Sequence, residues 1–127
     1  MHSPDYGIIL ENLVSMHLMT IKKNYLYGLS IYFYKSVENE VDFLIMYKNT
    51  ITSLINVSYI SNERDISTRE LRSLDKASTN LNCKNLIFIS YDLNSETIYN
   101  KNKIKIILIL DFLLMNITSF NKFINIQ

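Results

Sequence analysis

The chain holds one cysteine, two glycines and almost no net charge. Each shortage narrows what it can do. With Cys83 alone, no disulfide can close within the chain and no cysteine cluster can hold a metal. A solitary thiol suits a reducing cytosol, so cytoplasmic residence is expected, and Cys83 reads as a small core residue rather than a reactive group. Gly7 and Gly28 are the only glycines, so there is no Walker-type phosphate loop, and nucleotide hydrolysis by this chain alone is not expected. The formal net charge of +1 supplies no bulk attraction for nucleic acid or for a membrane surface, which leaves that task to a local basic stripe. No apolar run is long enough to span a bilayer: the stretch from Ile104 to Met115 is short and is interrupted by Lys105 and Asp111. No membrane partner is expected. The opening residues include His2, Pro4 and Asp5 without a basic segment followed by an apolar one, and no secretory leader is expected either.

What is present suits one globular domain. The 127 residues are 48% hydrophobic and 20% charged. Asp5 can cap a helix from Tyr6 to about Lys23, with Leu10, Leu13, Val14, His17 and Leu18 on its apolar face. Tyr25 to Tyr34, Val41 to Tyr47 and Ile51 to Tyr59 read as strands of an antiparallel meander, joined by turns at Ser36–Asn39 and Lys48–Asn49. Ser67-Thr68-Arg69-Glu70 reads as a capping box that opens a second helix, ending near Asn82. Leu86 to Tyr91 is a central strand buried on both faces. Asn94 to Asn102 is a loop or weak hairpin, Ile104 to Leu108 a last strand, and Leu110 to Met115 a short helix. The expected organisation is an α/β domain over residues 1–115 and a C-terminal tail over 116–127. The helical crossover makes the third and fourth strands parallel, giving a mixed sheet with helices on its faces.

Period-two alternation places Asn56 and Ser58 on one face of the third strand. Asp42 opens the second strand beside that face, and Glu11 projects from the first helix toward the same end. Glu11, Asp42, Asn56 and Ser58 therefore form the candidate site. Arg69, Arg72 and Lys76 lie on the outer face of the second helix, as a candidate nucleic-acid contact or as an ordinary solvated stripe.

Several short stretches resemble a known family, in order along the chain. They are Gly7–Val14 (GIILENLV), Tyr34–Leu44 (YKSVENEVDFL), Ile55–Tyr59 (INVSY), Arg69–Leu74 (RELRSL) and Leu86–Tyr91 (LIFISY). Together they are similar to PD-(D/E)XK nuclease-like domains, in particular to the domain attached C-terminally to archaeal and bacterial AAA-type ATPases. The resemblance implies a restriction-endonuclease-like mixed sheet. It also implies a Mg²⁺ site at Glu11, Asp42 and the position of Asn56, with a lysine at the position of Ser58. Here asparagine and serine stand in those two places. Phosphodiester cleavage needs a hard cation held by oxygens and positive charge near the phosphorane. Asparagine does not balance a divalent ion, and serine brings no charge. Loss of one such stabiliser typically costs ~10²–10³ in rate. Lys35 on the preceding strand is a candidate for a migrated lysine.

The expected function is a non-catalytic accessory or interaction domain with no cofactor, and with a vestigial site. Its expected partner is an ATPase module or a second copy of itself, with nucleic acid as a further candidate. The alternative is a Mg²⁺-dependent nuclease with a rearranged site, in which Glu11 and Asp42 would hold the metal. Structural roles stand beside these. Glu11 can cap or pair within the fold, Asp42 can fix the turn before its strand, and His17 can pack in the core.

Overall fold

The computed structural model describes residues 5–126; His2 and Pro4, on which the leader expectation rests, lie outside them. Helix α1 (Tyr6–Asn24) begins as expected, with Asp5 Oδ1 accepting the Ile8 amide at 3.1 Å. Lys22 and Lys23 lie in its last turn, where positive charge suits the helix dipole. Its buried stripe is Leu10, Val14, Leu18 and Ile21. Leu13, assigned to that face from sequence, is 41% exposed. At helical spacing it points roughly a quarter turn away from the buried four.

Strands β1 (Leu29–Ser36), β2 (Asn39–Tyr47) and β3 (Thr50–Ser58) form the antiparallel meander. β1 starts later than Tyr25 because the preceding backbone is used to close α1: the Tyr25 and Leu26 amides both donate to the Ile21 carbonyl. Lys48 and Asn49 adopt positive φ, 49° and 68°, a two-residue turn whose twist matches a hairpin.

A 3₁₀ turn (Glu63–Asp65) interrupts the polar loop, and α2 (Thr68–Leu81) then crosses to β4 (Leu86–Ser90). Asn82, at φ 52°, ends α2 in the left-handed conformation. β4 runs parallel to β3, from Leu54 opposite Leu86 to Ser58 opposite Ser90. Every residue of β4 is buried, as its continuous apolar run implies.

The loop or weak hairpin expected at 94–102 is a formed hairpin of β5 (Ser95–Tyr99) and β6 (Asn102–Leu108). Its turn residues Asn100 and Lys101 take φ of 50° and 73°. β6 runs parallel to β4, and the six-stranded mixed sheet has the order β1-β2-β3-β4-β6-β5.

Helices α3 (Ile109–Leu113) and α4 (Ile117–Phe123) follow. The segment expected as a tail therefore contains a helix, opened by Asn116, whose side chain accepts the Ser119 amide at 2.8 Å. Phe120 and Ile124 are fully buried. They sit four residues apart, the helical neighbour spacing, with polar residues between them that masked the pattern.

The two faces of the sheet carry separate apolar layers. On one, Phe43, Ile45, Ile55, Val57, Ile87 and Ile89 pack against α1, Phe112 and Phe120. On the other, Val41, Leu44, Leu54, Leu86, Phe88, Ile104 and Ile106 pack with Leu74 and Ala77 of α2. Cys83 belongs to this second layer and is buried, as expected.

Candidate functional site

Asp42 stands where the β1–β2 ladder is irregular. Tyr32 pairs with Leu44 and Tyr34 with Val41, so Phe33 alone faces the two residues Asp42 and Phe43. Such a bulge bends the strand and re-aims a side chain. The β2–β3 ladder ends nearby, with Phe43 opposite Ile55.

Beyond that pair, side chains replace the ladder bonds. The Asp42 amide donates to Asn56 Oδ1 at 2.8 Å, and the Val57 amide donates to Asp42 Oδ2 at 2.8 Å. Each strand's backbone is thus held by a side chain of the other, which keeps buried amides satisfied where the strands part. Asn56, only 2% exposed, also donates through Nδ2 to the Glu40 and Glu70 carbonyls, at 3.4 Å each. It ties β3 to both β2 and α2. A further link comes from Ser73 of α2, whose Oγ accepts the Glu40 amide at 3.2 Å.

Between the start of α2 and the sheet lies a cleft of about 340 Å³, lined by Glu40, Asp42, Asn56, Ser58, Ser67, Arg69, Glu70 and Ser73. Three carboxylates share it, with Glu11 close enough on α1 to act through its charge. Burial pushes the Asp42 carboxyl up to about 6, the Val57 amide pulls it back, and the charges of Glu11 and Glu40 raise it further. Burial, and then the charge of Asp42, push Glu70 up to about 7. The nearby Ser58 hydroxyl and Arg69 guanidinium favour its anion and moderate the rise, whereas the Glu11 charge adds to it. Glu70 Oε2 is buried without a hydrogen-bond partner. Glu11 itself is raised by burial and by the charges of Asp5 and Glu40. The cleft thus holds excess negative charge at neutral pH, a cost that structures bear more often at functional sites than elsewhere.

The structure brings together Asp42, Asn56 and Ser58 from the sequence-derived set, whereas Glu11 does not line the cleft. Among the described residues, none hydrogen-bonds to the Glu11 carboxylate, so the capping role considered for it is not seen. Asp42 fixes β3 rather than the turn before its own strand. Glu70 is the acid that the sequence reading misplaced. Ser67 is the N-cap of α2 but makes no side-chain capping bond, and no capping box forms. The Glu70 carboxyl lies in the cleft instead, beside the Ser58 hydroxyl. The available signal was its place in the first helical turn after the crossover from β3, beside Ser58 in space though not in sequence.

Lys35 pairs with Glu40 at 3.7 Å on the exposed surface and is not among the cleft residues. The three cations of α2 divide between two hollows. Arg69 lines the acidic cleft, whereas Arg72 and Lys76 border a second hollow with Asp75, Tyr99 and Asn100. Asp75 is buried there and accepts Nδ2 of Asn102 at 2.6 Å and Nδ2 of Asn100 at 3.1 Å, which pins the β5–β6 turn to α2. His17 packs edge-on to Phe112, 5.2 Å between ring centres, and burial lowers its pKa.

A divalent cation needs several oxygens converging on one point. Among the described residues, no three histidine, cysteine, aspartate or glutamate side chains are grouped so as to hold a metal ion. Asp42 and Asn56 already spend oxygens on backbone amides, and the raised pKa values of Asp42 and Glu70 set a proton in competition with any cation. As arranged, these oxygens do not converge on a single point for a Mg²⁺ ion. Nor is any described helix long and apolar enough to cross a membrane.

Comparison with curated proteins found no match, and neither did comparison with solved structures. Residues 6–110, running from the first residue of α1 into α3 and so covering the whole sheet and the cleft, match the family described as a domain of unknown function, DUF4143, and the chain belongs to that family.

Proposed function

We propose that this chain is a non-catalytic accessory or interaction domain built on a restriction-endonuclease-like scaffold. It would be of the kind carried C-terminally by archaeal and bacterial AAA-type ATPases. Supporting this are the element order of helix, meander, crossover helix and parallel strands, and an acid set on a bulge beside the crossover. The observation that carries the non-catalytic reading is the exchange of backbone bonds between Asp42 and Asn56. These side chains occupy the places of two metal-binding acids, yet their oxygens hold strands together. Ser58, at the place of the lysine, brings no positive charge. The partner is an ATPase module or another copy of the chain, in the cytoplasm. Incubation with single-stranded, duplex and branched nucleic acids, with Mg²⁺ or Mn²⁺, is expected to give no cleavage. Metal-stimulated cleavage that disappears in Asp42→Ala would overturn the proposal.

One observation favours a second reading, a nuclease with a rearranged site. Glu70 supplies the cleft with an acid that Asn56 cannot. That reading requires Mn²⁺ to perturb Asp42 and Glu70 resonances in titration. Uniform, non-saturating broadening across the surface would exclude it.

A further inference from the structure

Three tyrosines cluster at the surface, one pair stacked and the other tilted by 41°. Ser58 and Ser90 are partners in the parallel ladder, so the next residues, Tyr59 and Tyr91, stand side by side beyond the carboxyl ends of β3 and β4. Their ring centres are 4.7 Å apart. Tyr6, the first residue of α1, stacks on Tyr59 at 4.8 Å, with the planes 26° apart. None of the three belongs to either apolar layer. They are 47%, 44% and 46% exposed for Tyr6, Tyr59 and Tyr91. With residues of this size, that leaves about 300 Å² of tyrosine surface in water, hydroxyls and backbone included. Carboxyl ends of parallel strands are also where open α/β sheets take their ligands.

The charge around the rings decides between occupants. Asp5, Glu63 and Asp92 lie within four positions of these tyrosines along the chain, and the one cation close by is Arg64, which borders a hollow with Glu63 and Leu93, so acids outnumber bases here. The charge of Asp5 acts on Glu11, and that of Glu11 on Asp42 and Glu70, so Asp5 belongs to a set of acids between α1 and the cleft in which Arg69 is the opposing cation. A single-stranded nucleic acid would stack its bases here only by bringing phosphates toward these acids, without the basic groove that such binding uses. A guanidinium meets the opposite situation: it lies flat on an aromatic face and donates to carboxylates beside it.

The geometry points to an arginine-bearing segment of a protein partner as the occupant of the Tyr6–Tyr59–Tyr91 platform. This rests on the reading of the chain as an interaction domain and names the chemistry of its partner. The guanidinium stacks on an outer ring face, and Asp92, exposed at the end of β4, takes part of its charge.

The test is a titration of the full, isotope-labelled chain with a short arginine–glycine peptide, its alanine-for-arginine counterpart, and oligo(dT). The arginine peptide is expected to shift the three tyrosine ring resonances, and added salt to weaken its binding. Tyr59→Ala and Tyr91→Ala should each lower affinity about tenfold, with Tyr59→Phe near the parent. Asp92→Lys, which leaves the stack intact, should lower it as well and serves if an alanine variant does not fold. No shift with the arginine peptide overturns the inference, as does equal binding of the alanine counterpart or stronger binding of oligo(dT). Metal-dependent cleavage by the chain would sink the interaction-domain reading itself. Failure of the peptide without any cleavage sinks the platform alone.

Discussion

Asp42→Asn isolates the charge of Asp42 from its hydrogen bond, because asparagine Oδ1 can still accept the Val57 amide that Asp42 holds at 2.8 Å. In the folded chain, burial and the charges of Glu11 and Glu40 lift this carboxyl from the ordinary 3.8 to about 6. At full strength that rise corresponds to about 3 kcal/mol. Partial exposure of the carboxyl reduces this to about 1–2 kcal/mol. The folded value lies above the unfolded one, so the folded protein binds the proton more tightly. The stabilisation is therefore complete below about pH 4 and is lost as pH rises through about 6. Asparagine never ionises and escapes the loss. The variant should match the parent at pH 4 and exceed it by about 1–2 kcal/mol at pH 8, in urea unfolding followed by far-UV circular dichroism. Because ionised Asp42 helps to raise Glu70, the variant should also titrate Glu70 at lower pH, visible by carboxyl carbon NMR. A variant whose stability relative to the parent is the same at pH 4 and pH 8 would refute the reasoning, since ionising Asp42 would then cost the fold nothing.

Asn56→Asp should destabilise the chain by about 3 kcal/mol at neutral pH in thermal or urea unfolding. It sets a buried carboxylate against the Glu40 and Glu70 carbonyls in place of a donor. An unchanged melting curve would show that Asn56 is not the tie described above. Phe120→Ala should cost about 3–5 kcal/mol, because the ring is fully buried beside Phe112; a loss below about 1 kcal/mol would make α4 dispensable to the core. Asp75→Ala should cost about 1–2 kcal/mol and speed amide hydrogen exchange in the Asn100–Asn102 turn, since both amides lose their acceptor. Unchanged exchange there would mean that the turn holds itself.

Much of the fold was legible because local rules and tertiary packing agree. The Asp5 cap, the polar turn at Lys48–Asn49 and the apolar run Leu86–Ile89 of β4 each state their structure within a few residues. The parallel pairing of β3 with β4 followed from a helix between two strands. Elements with short or mixed patterns were less legible. β5 alternates half-buried and exposed residues at a sheet edge, and α4 spans seven residues with its core anchor, Phe120, among polar neighbours. The local signals are weak: an Asn116 cap for α4 and a turn at Asn100–Lys101 for the hairpin.

The candidate site divides in the same way. Alternation along one strand placed Asn56 and Ser58 on a common face, and both line the cleft with Asp42. What alternation cannot state is what those side chains bond to. The bulge at Asp42–Phe43 depends on how β2 pairs with β1, and it turned a candidate metal ligand into a support for the next strand. Ser67 and Glu70 have the spacing of a capping box, yet the carboxylate was drawn into the cleft by contacts with β3. The tyrosine platform joins residues 6, 59 and 91, and no spacing rule connects them. By itself, then, the sequence determined the order of the elements from α1 to β4, the buried strand and the uncharged side chains at Asn56 and Ser58, because those depend on residue type and short-range period. Only the tertiary structure decided the partners of each carboxylate, the cleft they share and the stack of rings. Those depend on strand pairing and on burial, which are set by parts of the chain distant in sequence.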